Sequence, residues 1–179
     1  MRLFIGIFLP EEVLDYLYEL QNKLKKELPA KINWVSKSRI HFTLKFLGSL
    51  DEKNINAIKE RLNRIHFNSF KLKLDKIGAF PDMEFIRVIW IGLKPVQELN
   101  RVQQWIDMEL LDLFPKDQDF NVHLTLGRVK NIQDKEKFKK NLKIEIENKE
   151  FEVNEFCLVK SELHKEGPSY EILERFTLH

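Results

Sequence analysis

His41-Phe42-Thr43-Leu44 and His123-Leu124-Thr125-Leu126 are two copies of one pattern in a chain of 179 residues, and their reading decides the fold. The chain has five histidines and three threonines, yet two of the threonines stand two places after a histidine. Random placement would give about 0.08 such pairs, the scale against which a short motif has to be judged. On a β-strand, side chains i and i+2 leave the same face. Each histidine therefore shares a face with its threonine, while Phe42, Leu44, Leu124 and Leu126 point the other way, into a core. Two imidazoles, each beside a hydroxyl, suit acid, base and paired hydrogen-bond donors around one phosphate.

Outward from the first motif, the apolar run Leu3 to Leu9 is too short for a helix and reads as a central strand. Pro10-Glu11-Glu12 opens a helix with Val13, Leu17, Leu20, Leu24 and Leu28 inward, and Pro29 stands past its end. Arg39 to Leu47 is the strand of the first motif, closed by Gly48-Ser49. Asp51 is expected to cap a second helix with Ile55, Ile58, Leu62 and Ile65 buried. Phe70, Leu72 and Leu74 alternate with polar residues as a half-exposed strand. The second half runs through the same kinds of element: a strand from Phe85 to Leu93, and a helix from Pro95 with Leu99, Val102, Ile106, Leu110 and Leu113 inward. Then come the second motif strand, Phe120 to Val129, and a helix from Asp134 to Leu142. A long strand from Phe151 to Leu163 is expected to bulge where apolar parity slips between Val153 and Phe156. Tyr170 to Leu178 is the last strand.

The offsets frame both motifs alike. Pro10 lies 31 residues before His41 and Pro95 28 before His123; Asp51 follows its histidine by 10 and Asp134 by 11. The expectation is a single α+β domain over 1–179, bilobal, with pseudo-repeats of about 1–82 and 83–179. Antiparallel sheets would face a central cleft with helices outside. No Gly/Ser-rich linker separates the halves, so one rigid unit is expected.

Composition narrows the class. With 43% hydrophobic and 32% charged residues the chain reads as an ordinary soluble globular protein. A net charge of +2 argues against a strongly basic nucleic-acid coat but leaves room for a local basic cleft. Cys157 is the lone cysteine, which allows no internal disulfide and fits a reducing cytoplasm. The apolar start gives way to Pro10-Glu11-Glu12 without a small-residue cleavage site, so it reads as a strand rather than a signal peptide. No run approaches a membrane span. A monomer acting in the cytoplasm is expected.

Metal binding is the obvious rival for paired histidines. The flanks Ser38-Arg39-Ile40, Asn121-Val122, Lys45-Phe46 and Gly127-Arg128 offer no Asp or Glu, and the common ligand spacings are absent, so no metal and no cofactor are expected. No Gly-x-Ser-x-Gly elbow is present, and Cys157, in an apolar strand, reads as a small core residue. Arg128 suits a phosphate, but strict alternation turns it away from His123 unless Gly127 bends the strand. Lys45 has the parity of His41, with a solvated lysine as the plainer reading. Phe46, Phe80 and Tyr170 are candidates for stacking on a base, although a core role is the ordinary one for such residues. His66, His164 and His179 read as surface residues.

The chain closely resembles the 2H phosphoesterases, and within them the RNA 2′,3′-cyclic phosphodiesterase branch long called 2′-5′ RNA ligase. The likeness runs through Arg2-Leu3-Phe4-Ile5, Trp34-Val35, His41 to Gly48, Gly78-Ala79-Phe80-Pro81, Arg87-Val88-Ile89-Trp90, His123 to Arg128, and Gly167-Pro168-Ser169-Tyr170-Glu171. The resemblance implies hydrolysis of a terminal 2′,3′-cyclic phosphate to a 2′-phosphomonoester without metal, with reverse ligation as an added activity. It implies that His41 is the proton donor and His123 the acceptor, and that RNA ends, tRNA fragments among them, are the partners. Thr43 and Thr125 would bind the non-bridging oxygens, where charge gathers in the transition state. A non-catalytic RNA-end-binding module, and hydrolysis of small cyclic nucleotides or cyclic ADP-ribose phosphate, are the alternatives.

Overall fold

The computed structural model describes residues 1–179. The opening apolar run forms strand β1 (Arg2–Phe8), buried on both faces along its centre. Helix α1 (Glu11–Glu27) follows, with Glu11 and Glu12 in its first turn and Lys25 and Lys26 in its last, each sign placed at the end where the helix dipole favours it. Val13, Leu17, Leu20 and Leu24 form its buried stripe. Each such side chain contributes roughly 1.5–3 kcal/mol by leaving water. After Pro29 comes a short strand that the sequence pattern did not reveal, β2 (Ala30–Trp34). A 3-10 turn at Lys37–Arg39 leads into β3 (His41–Ser49).

The second helix differs from expectation at its start. Residues Glu52–Asn54 make a 3-10 turn before α2 (Ile55–Leu62), and the Asp51 side chain makes no capping hydrogen bond. Asp134 does cap its helix, accepting from the Lys137 N–H at 2.9 Å. The remaining elements are β4 (Phe70–Pro81), β5 (Ile86–Lys94), α3 (Val96–Glu109), β6 (Leu124–Ile132), α4 (Lys135–Leu142), β7 (Glu150–Val153), β8 (Glu155–His164) and β9 (Gly167–Thr177). Leu113, expected inward on α3, lies beyond its end and is exposed. The expected long strand from Phe151 is two strands in different sheets. The parity slip marks Asn154, where the chain crosses from one sheet to the other.

Two antiparallel sheets result, ordered β3-β1-β8-β9 and β2-β6-β5-β4-β7. Together with the four helices they make the α+β fold that the motif spacing suggested. Each sheet draws strands from both halves of the sequence: β8 and β9 join β1 and β3, while β2 and β4 join β5 and β6. The run β3-β1-β8 in one sheet corresponds to β6-β5-β4 in the other, with β2 and β4 lent by the first half and β8 and β9 by the second. The lobes are therefore not the sequence halves themselves. One continuous apolar core, from Leu3 and Leu17 through Ile91, Leu99 and Leu126 to Phe176, joins the two.

Candidate active site

His41 opens β3 and His123 immediately precedes β6. In both motifs the alternation holds: His41 and Thr43, and His123 and Thr125, are partly exposed, while Phe42, Leu44, Leu124 and Leu126 are buried. The two rings are held alike. His41 Nδ1 lies 2.7 Å from the Arg39 carbonyl, and His123 Nδ1 lies 2.9 Å from the Asn121 carbonyl. A carbonyl only accepts, so Nδ1–H is the donor in both, a tautomer assigned from its partner. The reactive lone pair of each neutral ring is then on Nε2. Thr43 Oγ1 is 3.1 Å from His41 Nε2, and within the protein no such partner occupies His123 Nε2.

Both strands bulge one residue after the threonine. Gly6 pairs with Thr43 and Ile5 with Lys45, so Leu44 is the extra residue in β3. Trp90 pairs with Thr125 and Ile89 with Gly127, so Leu126 is the extra residue in β6. A bulge puts the residues beyond it on the opposite face from strict alternation. Arg128 thereby returns to the exposed face that carries Thr125, and Phe46, five residues after its histidine as Arg128 is after its own, does the same. Gly127 has no positive φ. A Cβ there would come within 2.7 Å of Ile32 Cγ2, so this glycine makes room for β2 rather than bending its strand.

The same shift corrects two other expectations. Lys45 neither lines the cleft nor meets solvent. It is 2% exposed and points into the core side, where it pairs with Asp107 at 2.5 Å. Phe46 is not a core residue; it is 74% exposed, with its ring 6.4 Å from that of Phe4. Phe80 is half-buried, stacked on Trp90 at 5.1 Å and edge-on to His123 at 4.9 Å. Tyr170 is half-buried, edge-on to His41 at 5.0 Å. His66, His164 and His179 are exposed, and Cys157 is buried beside Phe4 and Val159.

Electrostatics link groups beside the two motifs. Burial pushes both imidazoles below the ordinary histidine value, opposed in each case by the carbonyl that accepts from Nδ1. The Arg128 guanidinium pushes His123 down further. Burial raises the Tyr170 phenol, while Arg39 and Arg128 pull it down. Arg128, on one sheet, is thus in electrostatic reach of His123 and of the tyrosine that packs on His41 in the other. Sequence reading missed the two backbone carbonyls, since any residue supplies one. Tyr170 packs, half-buried, on Phe4 and His41. No group of three His, Cys, Asp or Glu side chains converges in the chain, so the donors at hand are imidazoles, hydroxyls and a guanidinium.

Comparison with known proteins places this arrangement. The family model described as "LigT like Phosphoesterase" matches twice, over residues 7–90 and 91–170. The chain is 37% identical over 180 residues to the RNA 2′,3′-cyclic phosphodiesterase of Methanocaldococcus jannaschii, covering 98% of this chain and 100% of that one. It is equally similar, 37% over 187 residues, to the protein of that name from Archaeoglobus fulgidus, covering 98% and 99%. Among solved structures, TT0787 of Thermus thermophilus superposes with a TM-score of 0.82 at 30% identity, covering 99% and 98%. Escherichia coli LigT complexed with 3′-AMP superposes with a TM-score of 0.78 at 24% identity, covering 99% and 97%, a likeness of fold.

Proposed function

The chain belongs to the LigT-like phosphoesterase family, and on that premise we propose that it hydrolyses the 2′,3′-cyclic phosphate at an RNA end to a 2′-phosphomonoester by two-histidine acid–base catalysis. The observation that carries the reading is the matched pair of imidazoles, each with Nδ1 fixed on a backbone carbonyl so that Nε2 is the reactive atom, beside the Thr43 hydroxyl in His41. In the reaction His123 Nε2 takes a proton from water as the water oxygen bonds to phosphorus. The bond from phosphorus to O3′ breaks, and protonated His41 delivers its Nε2 proton to O3′. The product carries a 2′-phosphate and a free 3′-hydroxyl, and the two rings regain their starting protonation by exchange with solvent. Each proton-transfer partner supplies about 10²–10⁴-fold.

The division of roles, His41 as proton donor and His123 as acceptor, is the one the family resemblance implies, and the surroundings of His123 agree with it. Arg128 favours the neutral form of His123, the form a base requires. His41 has no cation among the groups that shift it, and an arriving phosphate anion favours its charged form. Thr43, Thr125 and Arg128 then bind the non-bridging oxygens, where hydrogen-bond donors stabilise accumulating charge. Ligation puts the 5′-hydroxyl of a second RNA end in the place of water: His123 takes its proton as that oxygen bonds to phosphorus, the bond to O3′ breaks with a proton from His41, and a 2′-5′ linkage results.

The test is an oligoribonucleotide ending in a 2′,3′-cyclic phosphate, incubated under exhaustive chelation, with the phosphate position then mapped. Full activity and a 2′-phosphate are expected. A 3′-phosphate, or loss on chelation with rescue by one divalent ion, would overturn the mechanism. A mononucleotide 2′,3′-cyclic phosphate run alongside separates RNA ends from small cyclic nucleotides as the preferred substrate.

A further inference from the structure

Lys45 and Asp107 form a buried ion pair that the chemistry above does not use. Their side chains are 1% and 6% exposed. The Lys45 ammonium donates to Asp107 Oδ1 at 2.5 Å and to the Pro115 carbonyl at 2.8 Å, and lies 3.4 Å from the Asp117 carboxylate. Asp107 Oδ2 accepts from Gln103 Nε2 at 2.8 Å and from the Asp117 backbone N–H at 3.1 Å. Every polar atom of the pair has a partner. Such a pair adds little net stability, because removing two charges from water costs about what their attraction returns. What it can supply is a fixed arrangement.

Two of its partners lie in the run from Pro115 to Val122, which has no strand or helix and delivers His123 to β6. Phe120 of that run packs edge-on against Phe42 at 5.8 Å. Phe42 and Lys45 are on the buried back of β3, whose front carries His41 and Thr43. The Asn121 carbonyl, which orients the His123 ring, belongs to the same run. The other lobe has a counterpart: Gln21, buried on α1, donates to the Leu126 carbonyl at 2.9 Å and the Val35 carbonyl at 2.8 Å, at the bulge of β6. Gln21 and Gln103 each stand 20 residues before their motif histidine; α1 thus grips β6 through Gln21 directly, and α3 grips β3 through Asp107, which Gln103 braces.

We infer that the Lys45–Asp107 pair is a positioning device that clamps the 115–122 run to the back of β3 and thereby sets the His123 imidazole relative to His41. The inference rests on the proposed role of His123 as a proton-transfer group. Removing one partner alone would strand a buried charge and threaten the fold, so the informative variant is the double Lys45→Met/Asp107→Leu. Phe120→Ala, which loosens the same run at a half-buried position, is the second. Each is measured for kcat and KM on the cyclic-phosphate oligoribonucleotide, and for the tautomer of each imidazole by ¹⁵N NMR.

The expected result is a kcat lower by about 10–100-fold, as a displacement near 1 Å can produce, with KM changed by less than about threefold. His123 should lose its pure Nδ1–H signature while His41 keeps its own. A folded double variant with kcat within about threefold of wild type and an unaltered His123 signature would overturn the inference. Equal disturbance of both rings would also overturn it, since that marks general loosening. If the double variant does not fold, Phe120→Ala decides by the same readouts. An inactive wild type would defeat the proposed function instead, and the tautomer measurement would still test the clamp.

Discussion

Two backbone carbonyls, those of Arg39 and Asn121, decide what the imidazoles can do. By accepting from Nδ1 they place the lone pair of each neutral ring on Nε2, the atom to which the proposed mechanism gives the proton transfer. What distinguishes the rings is the charge around them, and here Arg128 carries a testable sign. Its positive charge disfavours the imidazolium of His123 and lowers that pKa. Arg128→Gln therefore lets His123 hold its proton to higher pH. The expected outcome is a kcat/KM–pH profile in which the limb belonging to His123 moves to higher pH while the other stays, with a lower maximum from the lost phosphate contact. The limbs belong to the coupled pair, so the observable is the one-sided movement. A profile that keeps both limbs in place would remove Arg128 from the neighbourhood of the base.

At the scale of elements, the bulges at Leu44 and Leu126 decide which side chains reach the cleft. The motifs themselves were legible, because a His-x-Thr pair on a strand needs only period-two alternation. Beyond Leu44 and Leu126 that rule fails, and with it the expected placing of Lys45, Phe46 and Arg128. A bulge is fixed by partner strands and by groups such as the Gln21 amide on the Leu126 carbonyl, which local sequence does not display. Strand β2 was hidden for a related reason: Ala30 to Trp34 is short, with Lys31 and Asn33 exposed, and exists as an edge paired to β6. That edge presses on Gly127, where a Cβ would lie 2.7 Å from Ile32 Cγ2 and 3.2 Å from Trp34 Cε3. Gly127→Ala should therefore cost about 1–3 kcal/mol by overpacking, read as a lower urea midpoint at unchanged m-value. No loss of stability would mean that β2 does not sit against the second motif as described.

For the whole molecule, the matched offsets revealed a repeat of elements but not the exchange of strands between lobes. Long-range pairing such as β1 with β8, or β2 with β6, depends on which apolar faces close one core, and no local pattern encodes it. The exchange explains why no linker divides the halves and why one core serves both. It also ties both motif strands to one core, as a mechanism that uses the two histidines together requires. The most direct test is the turnover of His41→Ala, His123→Ala and the double variant on an RNA 2′,3′-cyclic phosphate. If the rings serve one proton-transfer cycle, each single substitution should remove about 10²–10⁴-fold, and the double should be little worse than the poorer single. Losses that multiply in the double variant, or a single variant retaining more than about a tenth of wild-type turnover, would contradict the account.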